Sequence, residues 1–208
     1  MKLLAPIFTY PEFFEWMGTL SKEGKSSGED QSEVMAEYTS LNNKRMKRLN
    51  NTVNLQPDFI KLLESIEKPQ TWYLITETWC GDSAQNLPII AKIAAASNEK
   101  IDLKIILRDE NPEWIDKYRT NGGKSIPKLV SFDQEGEELF SWGPRPLPAH
   151  DILLHWKENP LEVTKANFEK ELHTWYAQDK SLSLQEEFSV IFENLVKQVG
   201  SRTIPVEE

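Results

Sequence analysis

The sequence predicts an α/β fold, a central mixed β-sheet flanked by helices, with extra N- and C-terminal helices. Three observations predict it. Apolar and β-branched runs recur at 72–77, 102–108 and 128–132, each of strand length, with helical spacing in the first two intervals. Asp133-Gln134-Glu135-Gly136 then joins 128–132 to a last run at 137–142, the pattern of an antiparallel hairpin. Amphipathic segments with helical spacing lie on both sides of this block.

Each element has its own warrant. Phe13, Trp16, Met17 and Leu20 mark a short helix at 12–20. Ser21–Asp30, with Gly24, Ser26, Ser27 and Gly28, reads as a loop and as the most mobile segment. Gln31 to about Asn50 reads as a longer helix with Val34, Tyr38 and Leu41 on one face. Pro57 opens another, with Phe59, Leu62, Leu63 and Ile66 at helical spacing. The run Trp72-Tyr73-Leu74-Ile75-Thr76 is a buried strand. Gly81 permits a tight turn after it, and Asp82 and Ser83 suit the start of a helix over 82–97. Pro88 should kink that helix. The right-handed crossover rule makes strands 72–77 and 102–108 parallel. A helix over 112–120 follows. Pro144, Pro146 and Pro148 mark an extended connection into a helix from Pro148 to Lys157. Phe168, Leu172, Trp175 and Tyr176 define one terminal helix, and Leu184, Phe188, Ile191, Phe192 and Leu195 another. Both are expected to pack on the core or on another subunit. The chain divides into a helical extension at 1–52, a core at 53–158 and a second helical extension at 159–208.

With 24 basic and 33 acidic residues the net charge is −9. That argues against a nucleic-acid partner, which needs a basic footprint. The one basic cluster, Lys44-Arg45-Met46-Lys47-Arg48, reads as a solvated helix face. No run has the length of a membrane span, and Met1–Pro6 lacks the apolar core of a signal peptide. A single cysteine excludes a disulfide framework, so the expected compartment is the cytoplasm, where thiols stay reduced.

That cysteine, Cys80, stands in Thr78-Trp79-Cys80-Gly81-Asp82-Ser83, at the end of a strand and the start of a helix. Unpaired N–H groups and the helix dipole favour thiolate there, the nucleophilic form. Ser83 occupies the place where a second thiol would stand, so no disulfide forms within the chain. Asp82 opposes the dipole. A carboxylate about 6 Å from sulfur costs the thiolate roughly 0.7–1.4 kcal/mol, against roughly 0.3–2 kcal/mol from the helix terminus. Cys80 is therefore expected to be a partly exposed, moderate thiolate, with Asp82 either tuning it or simply capping the helix. Ser83 is expected to cap the helix or to donate to the thiolate. His150, His155 and His173 lack metal-ligand spacing and read as surface or capping residues, so no metal is expected.

Trp79-Cys80-Gly81-Asp82-Ser83 resembles the Trp-Cys-Gly-Pro-Cys site of thioredoxins. Pro88 falls where thioredoxins kink the helix after their site, and Asp109-Glu110-Asn111-Pro112 resembles the end of their next strand. Ser125-Ile126-Pro127-Lys128-Leu129-Val130 resembles their Ile-Pro-Thr segment, and Gly136-Glu137-Glu138 fits their last hairpin. The match runs over about residues 70–145, and the whole chain is similar to bacterial thioredoxin-like proteins carrying Trp-Cys-Gly-Asp-Ser. The resemblance implies a thioredoxin-like fold with Pro127 in a cis bond facing Cys80. It also implies that the Ile126 backbone and an apolar wall at Trp79 and Gly81 receive an extended partner chain. The buried acid and lysine of thioredoxins fall at Leu74 and near Ile105, so their dithiol cycle is lost together with the second thiol.

The function so implied is thiol–disulfide exchange by one cysteine, with catalytic Cys80, Asp82 and Ser83. The partners are protein or peptide thiols and disulfides. No bound cofactor is expected, and glutathione is a candidate co-substrate. A second reading is a redox-inactive module that binds peptides beside Pro127. A third is iron–sulfur handling, because Cys80-Gly81-Asp82-Ser83 resembles the Cys-Gly-Phe-Ser of monothiol glutaredoxins, although Asp82 and Trp79 depart from that pattern.

Overall fold

The sheet is organised by the apolar strand that leads to Cys80. In the computed structural model, which describes residues 3–4, 6–159 and 161–202, that strand is β2 (Gln70–Thr76). The remaining strands are β1 (Ile7–Phe8), β3 (Ile101–Leu107), β4 (Lys128–Phe132) and β5 (Glu138–Trp142). Their order is β1-β3-β2-β4-β5. β2 and β3 are parallel, paired from Gln70↔Ile101 to Thr76↔Leu107, as the crossover requires. β4 runs antiparallel to β2, and β5 antiparallel to β4. β1, which has no strand pattern in the sequence, pairs Ile7 and Phe8 with Ile106 and Ile105.

Among the described residues eight helices surround the sheet: α1 (Tyr10–Glu23), α2 (Glu33–Thr52), α3 (Pro57–Glu64), α4 (Gly81–Ala95), α5 (Pro112–Lys117), α6 (Leu147–Glu158), α7 (Lys165–Asp179) and α8 (Leu182–Arg202). Strand side chains alternate between faces. Trp72 and Leu74, with Leu103, Ile105 and Leu129, face a large core built from α1, α2, α3, α4 and α8. Ile75, Ile106 and Val130 face a smaller one closed by Trp114 and Ile115 of α5, which also holds Cys80 and Ile126. Helices α6 and α7 pack on each other around Ala149, Phe168 and Leu172, with Trp156 stacked on Phe168 at 4.6 Å.

The last helix is thus part of the main core. Trp72, fully buried at the centre of β2, meets Phe188 at 5.6 Å and Phe192 at 6.1 Å, and Phe140 of β5 closes the aromatic group. Among the described residues no helix is long and apolar enough to cross a membrane.

The segment read as most mobile is tied down. Ser26 and Ser27 are only 4% exposed. A chain of hydroxyls runs from Ser26 through Thr39 and Thr78 to Ser27, with contacts of 2.9–3.1 Å, and ends where Ser27 Oγ donates to Glu77. Gln31 donates back to the carbonyls of Ser26 and Gly28. Gly28 is at φ +80, and a Cβ there would meet Asp109 Oδ2 at 2.7 Å. Composition reads such a segment as loose because Ser and Gly bury little. Here their hydroxyls and close approach fix it to the turn before Cys80.

Phe188→Ala should cost about 3–5 kcal/mol of unfolding free energy, because it opens a cavity against Trp72. Urea titration followed by tryptophan fluorescence measures it. A loss below about 1 kcal/mol would show that α8 adds little to the core.

Candidate functional site

The strand β2 delivers Glu77, Thr78 and Trp79 into a tight turn, and Cys80 becomes the residue that caps α4. Its sulfur accepts the backbone N–H of Ser83 at 3.4 Å. On the other side the thiol donates to the Ile126 carbonyl at 3.3 Å. The Ile126–Pro127 peptide bond is cis, and it is the Ile126 carbonyl that lies against the Cys80 thiol. A second cis bond, Gly143–Pro144, follows β5, where Gly143 at φ +109 lies so close to the Pro127 carbonyl that no Cβ would fit. Trp79 is half-buried and carries the Arg108 guanidinium over its ring at 4.8 Å.

Cys80 differs from the expectation of a partly exposed, moderate thiolate. It is 8% exposed. Burial pushes its pKa up, the Asp82 charge adds to this, and the Ser83 hydroxyl and N–H oppose both, leaving it at about 11. Local sequence shows the helix terminus but not the depth at which the fold places it. The thiol bond to Ile126 also favours the protonated form.

Asp82 neither caps the helix nor faces solvent. Its side chain turns inward to an ion pair with Arg145, and both side chains are 11% exposed. Tyr176 donates to its other oxygen at 2.8 Å. Asn86 donates to the Asp82 carbonyl at 2.9 Å and to the Tyr176 oxygen at 3.0 Å. Even so, burial raises the Asp82 pKa against the pull of Arg145 and Tyr176. Ser83 is buried, and its hydroxyl has no hydrogen-bond partner among the described residues.

The matching family model, described as thioredoxin, covers residues 28–167, more than half of the sequence. The chain belongs to the thioredoxin family. The fold is shared by a protein of unknown function from Pseudomonas aeruginosa, at 18% identity and a TM-score of 0.56, covering 90% of this chain and 99% of that one. It is shared also by an HIV epitope-scaffold protein, at 17% identity and a TM-score of 0.53, with the same coverage. No curated protein matches the sequence.

Within this family frame the substitutions at Leu74 and Ile105 are apolar and complete. The two residues are paired across β2 and β3, and both are fully buried. The ionisable groups of the site stand elsewhere. Glu77, 1% exposed, accepts from Ser27 Oγ and from the Asp109 N–H at 3.0 Å, and burial raises its pKa. Arg45 and His173 approach Gly81. A Cβ there would lie 3.3 Å from His173 Cε1 and 3.6 Å from Arg45 Nη1. His173 was expected at the surface, but α7 lays it half-buried over the turn. There burial and the Arg45 charge push its pKa down to about 4, so it is neutral at neutral pH. Arg145, Tyr176, Arg45 and His173 were all missed as site residues. Tyr176 was read as packing, Arg45 as part of a solvated basic face and His173 as a surface or capping residue, while Arg145 belonged to no pattern. Among the described residues no three His, Cys, Asp or Glu side chains group as a metal site.

Asp82→Asn should lower the Cys80 pKa from about 11 by about one unit or more, since it removes a repelling charge and leaves the Arg145 charge unneutralised. The pH profile of iodoacetamide alkylation checks this. An unchanged or higher pKa would mean that the carboxylate supports the thiolate through the fold of the turn.

Proposed function

We propose that the protein carries out thiol–disulfide exchange with Cys80 as its single nucleophile. The observation that supports this best is the seat of the sulfur. It lies between the Ser83 N–H at the start of α4 and the Ile126 carbonyl beside the cis proline. The Cys80 thiolate attacks one sulfur of a partner disulfide. The partner's S–S bond breaks, a mixed disulfide with Cys80 forms, and the released thiolate takes up a proton. An external thiolate then attacks the mixed disulfide and frees Cys80. Ser83 cannot do this. Its N–H and its unpartnered hydroxyl instead supply donors to the thiolate. Partners are protein or peptide disulfides, whose extended chains pair with the Ile126 backbone against Trp79 and Gly81. Glutathione is the proposed resolving co-substrate.

The burial of Cys80 and its raised pKa favour a second reading, a module that binds an extended chain beside Pro127 without thiol turnover. Covalent capture separates the two. Glutathione disulfide should give one adduct per native chain, absent in Cys80→Ala and removed by excess reduced glutathione. In Ser83→Cys the adduct should be released as an internal disulfide. Intact-protein mass spectrometry reads both results. Failure of the native chain to form the adduct at alkaline pH, with normal reaction after denaturation, would overturn the exchange reading and leave the module.

A further inference from the structure

The basic cluster of α2 reads from sequence as a solvated face, but its last member, Arg48, borders a cavity. This cavity lies between the end of α2, the connection from α2 to α3 and the corner where α7 turns into α8, and its volume is about 560 Å³. Leu49, Val53, Ala177 and Leu182 give it apolar walls, and Arg48 and Lys180 bring two cations to it from distant parts of the sequence. Its frame is fixed by Gln185 of α8. That residue, 2% exposed, accepts the Gln56 N–H at 2.7 Å and donates to the Asn54 carbonyl at 3.4 Å. Asn54 and Gln56 both line the cavity, so the connection between α2 and α3 is held against α8 there.

The two cations are not neutralised. Among the described residues neither Arg48 nor Lys180 forms an ion pair, and no carboxylate is among the residues lining the cavity. The helix positions one turn from Arg48 hold Lys44, Arg45, Asn51 and Thr52, which supply like charge or none. Asp179, next to Lys180, is engaged by the N–H and hydroxyl of Ser183. Lys92 adds a third cation, donating to the carbonyl of Val53 in the cavity wall at 2.5 Å. The region is thus positive in a chain of net charge −9. Lys180 also ends α7 in the left-handed conformation, at φ +53, where glycine is the favoured residue. A lysine is held there at a conformational cost, and its side chain lines the cavity.

We infer that this cavity binds a small organic anion from solution, an apolar body bearing one carboxylate, sulfonate or phosphate group. A volume of this size suits such a molecule. The apolar walls receive its body, and Arg48 and Lys180 receive its acidic group through charge-assisted hydrogen bonds. The inference uses neither Cys80 nor the exchange reading.

Two dyes test it. Anilinonaphthalene sulfonate and its neutral counterpart phenylnaphthylamine share one aromatic body and differ by the acidic group. Fluorescence titration of the native chain should give one site for the sulfonate, bound about tenfold or more tighter than the amine. Arg48→Met and Lys180→Gly should each weaken the sulfonate about three- to tenfold and leave the amine within about twofold. Glycine suits the backbone at position 180, so loss of binding in that variant is not loss of fold. Ala177→Trp, which adds an indole to the wall, should weaken both dyes. Added salt should shrink the preference for the sulfonate. Circular dichroism and urea titration establish that each variant is folded. Equal affinity of the native chain for the two dyes overturns the inference. A sulfonate affinity unchanged in both Arg48→Met and Lys180→Gly also overturns it, because the dye then sits elsewhere on the surface.

Discussion

The buried pair of Asp82 and Arg145 holds together the parts of the molecule that meet at Cys80. Asp82 lies in the first turn of α4, Arg145 in the connection from β5 to α6, and Tyr176, which donates to the same carboxylate, on α7. Three segments distant in sequence thus converge on one acid. Burying a carboxylate has a desolvation cost of several kcal/mol, which the ion pair and the Tyr176 hydrogen bond only partly offset, as the raised pKa of Asp82 shows. An arrangement of this kind contributes little net stability. It does define geometry, because removing one partner leaves the other charged and buried. The α6–α7 pair has its own small apolar cluster, and polar contacts of Tyr176 and His173 tie it to α4. His173 of this pair lies over Gly81.

A second fixed point lies on the opposite side of the turn. Glu77 and the hydroxyls of Ser27, Thr78 and Thr39 form a buried network, and Asn42 takes the next carbonyl. The turn from Glu77 to Cys80 is therefore clamped from α2 and its preceding loop as well as from α7. A clamped turn keeps the sulfur at a set distance from Ile126. It also explains why α1 and α2, outside the strand–helix block, share the main core through Phe13, Met17 and Met46.

The strands, the crossover helix and the position of Cys80 were legible because each depends on local signals: apolar runs, turn residues and helix periodicity. The sequence boundaries for β2, β3, β4 and β5 fall within one or two residues of the structure. What was not legible depends on long-range placement. Asp82 has the local look of a capping residue, and only Arg145, 63 positions away, draws it inward. The Ser21–Asp30 segment has the composition of a loose loop, and only contacts with Glu77 and Thr78 bury it. Cys80 shows a helix terminus in sequence but not its burial, so the sign of the shift in its pKa was misjudged. His173 and Arg45 each lie on a helix whose pattern is amphipathic, and no periodicity says which polar residue will meet a site on another element.

These placements give the substitutions at the site a common physical sense. With Ser83 in place of a second thiol, no buried proton has to move to or from a partner sulfur, and the sheet interior at Leu74 and Ile105 is free to be wholly apolar. Ionisable groups stand instead around the turn, in the Asp82–Arg145 pair, Arg45 and the buried Glu77. Groups there act on the thiol itself, whereas charges beneath the strand would act on an internal proton transfer. A thiol held protonated by burial and by Asp82 is protected from indiscriminate oxidation. In the exchange proposed above, a partner chain pairing with the Ile126 backbone would compete with the thiol for the same oxygen. On that proposal, partner docking and activation of the sulfur are coupled through one carbonyl group.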